Sequence, residues 1–372
     1  MPKLQSLNSF PIFTYKLNAL KRKYLLSLFL VVQILALQIL KFLPEAVEKY
    51  YSNGLYVWIS KFSRIVLGKI PFSVGDVMYC VLILLAIRWF FKSWKNWKLY
   101  WKDNLLRIVN VISIGYFLFH LLWAVNYYRV PLYEKMSIQK EYSEADLVAF
   151  TRKLIVKTNE IHSQIVKNDS LKVSIPYSQE QIFEMNVNGY SGLGNQYSFF
   201  AYESSSVKKS LISFPLTYMG FAGYLNPFTN EAQVNYMIPM YNFPFTSCHE
   251  MAHQIGYASE SECNFIAFLA TTKNENLYFK YSGYVSALKY CLNTLEKIEE
   301  GKSKPFKKSV HSGIVKNFQE SKDFWEEHQT FIDNGFEFFY DNFLKLNQQK
   351  DGMESYSKFV DLMVNYYKDK NL

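Results

Sequence analysis

His249-Glu250-Met251-Ala252-His253 sets two imidazoles and a carboxylate in an H-E-x-x-H frame. On a helix, positions i and i+4 lie one turn apart on one face, so both imidazoles can reach a single zinc ion at about 2.0–2.1 Å. Glu250 then faces the open coordination position, where a carboxylate can take a proton from water. Pro244 suits a first helical turn and Gly256 a helix end, so the motif is expected on a short, punctuated helix.

A catalytic zinc needs a third protein ligand. Downstream, Glu260-Ser261-Glu262-Cys263-Asn264 opens a second apolar helix. Spacing favours Glu260 as the ligand, with Glu262 as the alternative; Glu262 also has a structural role open to it, a capping box with Ser259. Glu260 and Asn264 share one helix face, so Asn264 is placed to hydrogen-bond a ligating His from behind. Cys248 and Cys263 flank the motif and are expected as small buried residues, and the cysteines outside the apolar runs make no disulfide framework. The spacing identifies no donor for a developing oxyanion; Tyr257, Tyr281 and Tyr284 are three candidates among 29 tyrosines.

The elements that must position these groups divide the chain in two. The first 130 residues hold 17 Lys and Arg against four acidic residues, although the whole chain is only +9. Within them lie three apolar runs, 24–43, 75–91 and 108–127, each read as a transmembrane helix. Between the first two, 52–70 mixes Trp58, Phe62 and Ile65 with Lys61 and Arg64, the pattern of an interfacial helix. Lys21, Arg22 and Lys23 precede the first run, and Lys92, Lys95, Lys98, Lys102 and Arg107 follow the second. By the positive-inside rule, both stretches belong in the cytoplasm, so residues 1–23 form a cytoplasmic N-terminus and everything past about 128 is delivered outside. Six of seven tryptophans precede residue 130, most of them at run ends, as interfacial anchors would. Because the basic residues flank apolar runs instead of lining one soluble face, the lipid bilayer is the expected partner and nucleic acid is excluded. His120, inside the third run, is expected to hydrogen-bond between helices.

Past Arg129 the apolar positions become helical in period. Ser143 with Asp146 should cap a helix whose stripe is Leu147, Phe150, Leu154 and Ile161. Further helices are expected over 284–300, 313–345 and 353–368. Residues 171–240 are the place for strands, 233–240 most clearly, where an exposed edge would accept an extended peptide. The charge-free stretch 211–228 reads as a hairpin near the membrane or core, and His162, His311 and His328 as solvated.

His249, Glu250, His253 and a downstream Glu in an E-x-x-x-N frame resemble the gluzincin-type zinc metallopeptidases, in which that Glu is a ligand and the residue four later supports a His. Pro71-Phe-Ser-Val-Gly-Asp76, Pro227-Phe-Thr229, Phe245-Thr246 and Tyr281-Ser-Gly-Tyr284 together resemble a multi-pass membrane family of unknown function. The expected architecture is mainly α, with three N-terminal transmembrane helices followed by an α+β zincin-like extracytoplasmic domain over 128–372. The expected function is a zinc-dependent (Zn2+) metallopeptidase of the cytoplasmic membrane, acting on a peptide or protein substrate outside it. His249, His253 and Glu260 would hold the metal and Glu250 would act as general base. The alternative is a non-catalytic membrane sensor or scaffold stabilised by zinc.

Overall fold

Apolar runs with no β-branched alternation fold as helices, and the front of the chain does so four times: α1 (Phe10–Leu40), α2 (Tyr56–Leu67), α3 (Val74–Trp94) and α4 (Trp101–Leu122). The computed structural model describes residues 10–347 and 358–372, so the first nine residues of the expected N-terminal tail lie outside it. Three stretches, Lys23–Leu40, Val74–Trp94 and Trp101–Leu122, are long and apolar enough to cross a membrane. α1 and α4 are joined by polar groups inside their apolar faces: Ser27 donates to Asn110 at 2.9 Å and Gln33 to the Ser113 hydroxyl at 3.2 Å. His120 does not follow this pattern. Its Nδ1 pairs with the Tyr116 carbonyl one turn back in the same helix.

The third apolar helix ends five residues before the sequence places its end. Trp123 leaves the helical line, and Ala124–Tyr128 forms a short 3-10 turn that docks on the rest of the chain. The stretch read as an interfacial segment also packs inward. Val47–Leu55 is π-helical, and α2 buries Tyr56, Ser60 and Arg64 while Trp58, Phe62, Ile65 and Val66 stay exposed. The apolar helices and the larger helical body are therefore interleaved, with residues 47–76 built into that body.

That body contains α5 (Glu144–Ile165), α6 (Gln179–Gln196), β1 (Val207–Lys209), α7 (Ser213–Tyr218), β2 (Gly223–Leu225), β3 (Ala232–Val234), α8 (Phe243–Gln254), α9 (Glu260–Lys273), α10 (Leu277–Ile298), α11 (Ser312–His328), α12 (Phe331–Leu346) and α13 (Lys358–Tyr366). The Ser143–Asp146 capping box forms, and the α5 stripe Leu147, Phe150, Leu154 and Ile161 is buried in the core. The helix expected over 313–345 breaks at Gln329 into α11 and α12; part of the 353–368 helix lies outside the described residues.

Strand content is the main departure. Residues 171–240 hold two helices and three strands of three residues each, in the order β1-β3-β2. β3 runs parallel to β1 and antiparallel to β2, with Gln233 opposite both Lys208 and Tyr224. The strand expected over 233–240 is therefore short, central and buried, and the free edges belong to β1 and β2. β3 is buried along its whole length, and a strand covered on both faces carries no in-out pattern to fix its ends.

The motif Pro71–Asp76 joins α3 to this sheet. Ser73 caps α3, and Glu231 accepts from the backbone amides of Val74 at 3.1 Å and Gly75 at 2.6 Å while pairing with buried Lys208 at 2.7 Å. Asp76 accepts from Ser210, Leu211 and Tyr224. The start of an apolar helix is thus fastened to the strands beside the H-E-x-x-H helix.

Candidate metal centre

α8 carries His249, Glu250 and His253, and its far end is fastened from the front of the chain. Tyr56 donates to the Gln254 carbonyl at 3.0 Å, Ser60 to the same carbonyl at 2.7 Å, and Trp123 Nε1 to the His253 carbonyl at 3.2 Å. These are the orphan carbonyls of a helix C-terminus, satisfied by side chains. Gly256 then turns the chain at φ +90°, with Tyr56 packed where a Cβ would stand, and α9 returns alongside. The Gly256 carbonyl accepts from Arg129 at 2.8 Å, and the same guanidinium grips Glu48 with two bonds of 2.8 Å.

This turn brings Glu260 against both imidazoles. Glu260 Oε2 lies 3.1 Å from His249 Nε2, and Oε1 lies 3.8 Å from His253 Nε2. The three donor atoms all fall within 4.8 Å of one another, and all three residues are nearly buried. Each ring is held from behind: His249 Nδ1 pairs with Asn264 Oδ1 at 2.9 Å and His253 Nδ1 with the Tyr257 carbonyl at 2.8 Å. A carbonyl oxygen can only accept, so each ring carries a proton on Nδ1 and turns Nε2 to the shared space, where Glu260 meets both nitrogens. Tyr340 of α12 donates to Glu260 Oε1 at 2.6 Å and steers that carboxylate.

Burial depresses His253 to about 4, keeping that ring neutral. Burial pushes Glu260 upward, but its close contact with His249 and His253 outweighs it and holds the carboxyl at about 2; Glu260 in turn raises His249 against the burial that lowers it. Burial raises Glu250 to about 8; its Oε2 is buried with no hydrogen-bond partner. Two imidazole Nε2 atoms and an anionic carboxylate thus meet beside a buried carboxyl oxygen with no hydrogen-bond partner, a set of groups able to hold a divalent metal.

Glu262 is not part of this set. Its Oε1 accepts from the Leu132 amide at 2.6 Å, burial lifts its carboxyl to about 7, and the capping box with Ser259 is absent because Ser259 pairs with Ser261 instead. Cys248 and Cys263 are buried free thiols, Cys263 lying 3.2 Å from His253 Nδ1 on the far side of the ring from the shared space. Tyr257, Tyr281 and Tyr284 do not line the site: Tyr257 lies under Arg129, and Tyr281 donates to Asn317. Tyr127, Tyr290 and Tyr340 line it instead, and nothing in their sequence context marks them among so many tyrosines.

The site occupies one end of a cavity of about 750 Å3. The rest is walled by Phe119, Trp123 and Tyr127 from the end of α4 and by Phe336, Phe339 and Phe343 of α12. β2 passes along it, and a Cβ on Gly223 would lie 2.7 Å from Glu250 Oε1, so only glycine lets the strand approach so closely.

The family described as "Protein of unknown function (DUF3810)" matches residues 51–364, and the chain belongs to it. The match covers α2 through nearly all of α13, so the interleaved front segment and the His249–His253–Glu260 cluster fall within one family unit. No curated protein and no solved structure matches the chain.

Proposed function

We propose that this member of the family is a membrane-anchored, zinc-dependent metallopeptidase, hydrolysing peptide bonds with Glu250 as general base. The observation that carries the reading is the convergence of two imidazole nitrogens and the Glu260 carboxylate beside a buried, unpartnered Glu250 oxygen. His249, His253 and Glu260 would hold the zinc; Asn264, the Tyr257 carbonyl and Tyr340 orient them. When bound, zinc supplies the Lewis acidity that makes water a nucleophile near neutral pH and polarises the scissile carbonyl. Glu250 accepts the water's proton on its free oxygen and returns it to the leaving amine. The free edge of β2 offers backbone groups to an extended peptide, and the aromatic cavity takes apolar side chains. Tyr127 and Tyr290 line the same cavity and are the candidate donors to a developing oxyanion.

Localisation follows the charge pattern: cytoplasmic membrane, N-terminus inside, the metal centre outside. α12 supports a cleft that opens at the bilayer surface, since it exposes Phe331, Phe338, Phe339 and Leu346 while its Phe343 meets Phe119 of α4. The substrate class that fits is a polypeptide with an apolar stretch close to the membrane. The test is turnover of a fluorogenic peptide mixture, randomised around its central bond, by the full chain reconstituted with zinc. Glu250→Gln should keep its zinc and lose turnover; cleavage that persists in that variant overturns the proposal. A non-catalytic scaffold would instead show no zinc-dependent turnover and would unfold on chelation.

A further inference from the structure

A second set of donor atoms converges far from Glu250, where the sequence suggests only solvated histidines. His162, near the end of α5, is fully buried, and its Nε2 donates to the Leu171 carbonyl at 2.9 Å. That bond places its ring proton on Nε2 and leaves the Nδ1 lone pair aimed at His311, the residue just before α11. The two Nδ1 atoms are 3.2 Å apart, and His311 Nδ1 is 3.3 Å from Asp169 Oδ1. All three donor atoms lie within 4.8 Å of one another.

We propose that His162, Asp169 and His311 bind a divalent cation of the zinc class, which staples the 166–172 loop to the start of α11. Tetrahedral bonds of about 2.0–2.1 Å put neighbouring ligand atoms about 3.3 Å apart, the spacing observed on both edges. Hydrogen bonding accounts for the cluster less well. One proton on His311 Nδ1 would be shared between two acceptors, each beyond the usual distance of about 2.9–3.0 Å, whereas one central cation satisfies all three lone pairs. Two imidazoles and a carboxylate favour a zinc-class ion over calcium or magnesium. The site is preorganised by backbone bonds: the Gly313 amide donates to the Asp169 carbonyl at 2.8 Å, and the His311 amide to Asn159 Oδ1 at 3.1 Å. Asp169 is largely exposed, leaving the fourth position to solvent.

The placement gives the staple a use. α11 leads, across the break at Gln329, to α12, whose Tyr340 holds Glu260, so fixing the start of α11 anchors the segment that carries the helix over the cavity. With no disulfide among the described residues, a metal clip is the available cross-link.

The test is zinc per chain in the full-length protein in detergent, saturated with zinc and freed of excess by gel filtration. Wild type should hold two zinc ions, His311→Ala one, Glu260→Ala one, and the double variant none. Asp169→Asn, on an exposed loop, guards against a folding defect and should weaken the second site at least tenfold with an unchanged melting temperature in zinc-free buffer. Cobalt loaded into the Glu260→Ala chain should give visible absorption bands that Asp169→Asn removes. If His311→Ala holds as much zinc as wild type, the staple is refuted and the cluster is a hydrogen-bonded pair. One zinc lost with His311→Ala but kept in Glu260→Ala would instead uphold the staple and refute the catalytic centre.

Discussion

Glu48→Gln probes the joint between the front segment and the turn that follows the H-E-x-x-H helix. Glu48 accepts both bonds of the Arg129 fork and a third from Lys135 at 2.6 Å, with Arg129 almost fully buried. Burial pushes the Glu48 carboxyl up, but Arg129 and then Lys135 more than reverse this and hold it at about 2, against an ordinary 4.5. A depressed folded-state pKa contributes stability that is complete above the unfolded value and is lost as pH falls through the folded one. The shift of about 2.5 units corresponds to about 3 kcal/mol at pH 7, falling to about 1 kcal/mol at pH 3. Glu48→Gln also strands a buried guanidinium, and breaking such a pair costs about 3–5 kcal/mol. At about 2–4 °C per kcal/mol, the melting temperature in detergent at pH 7 should drop by about 6–12 °C. The wild-type advantage should shrink between pH 4.5 and pH 2. A variant melting within 1 °C of wild type at pH 7, or an advantage undiminished at pH 3, refutes the reasoning.

Asn264→Ala removes the acceptor behind His249 and should weaken zinc binding about 10- to 100-fold, read by chelator competition; unchanged affinity would mean the ring needs no such support. Gly223→Val places side-chain atoms against Glu250 Oε1 and the Gln233 carbonyl, so peptide turnover should fall more than tenfold while zinc content stays at the wild-type level. If turnover survives, β2 does not flank the reacting bond. A bimane label on Phe338→Cys, in a Cys80→Ser background, should be quenched by spin-labelled lipid in nanodiscs if α12 lies at the bilayer surface; accessibility only to aqueous quencher would place it in solvent. Gly256→Ala should cost about 1–2 kcal/mol of thermal stability from its left-handed backbone alone, since φ +90° penalises any Cβ.

Much of the centre is legible along the chain because its parts are local. H-E-x-x-H needs one helical turn, and Glu260 and Asn264 need one more, so i,i+4 geometry finds His249, His253, Glu260 and Asn264 without a fold. The three apolar helices are equally plain, since length and hydropathy are sums over contiguous residues. Helix ends are less so: α4 stops at Leu122 because Trp123 is drawn to the His253 carbonyl, a partner 130 residues away. The long helix over 313–345 breaks where no proline or glycine marks it.

Residue type and local spacing therefore decide which atoms can hold a metal and which segments can cross a membrane, both being properties of a turn or a run. Packing decided the rest. Glu262 lost to Glu260 because the Leu132 amide claims it, and Tyr340 joined the site from a helix 80 residues downstream. His162 and His311 met across 149 residues, while Tyr257, Tyr281 and Tyr284 turned away. Such choices depend on which distant groups share one buried space, and a one-dimensional order of residues carries no distance between them.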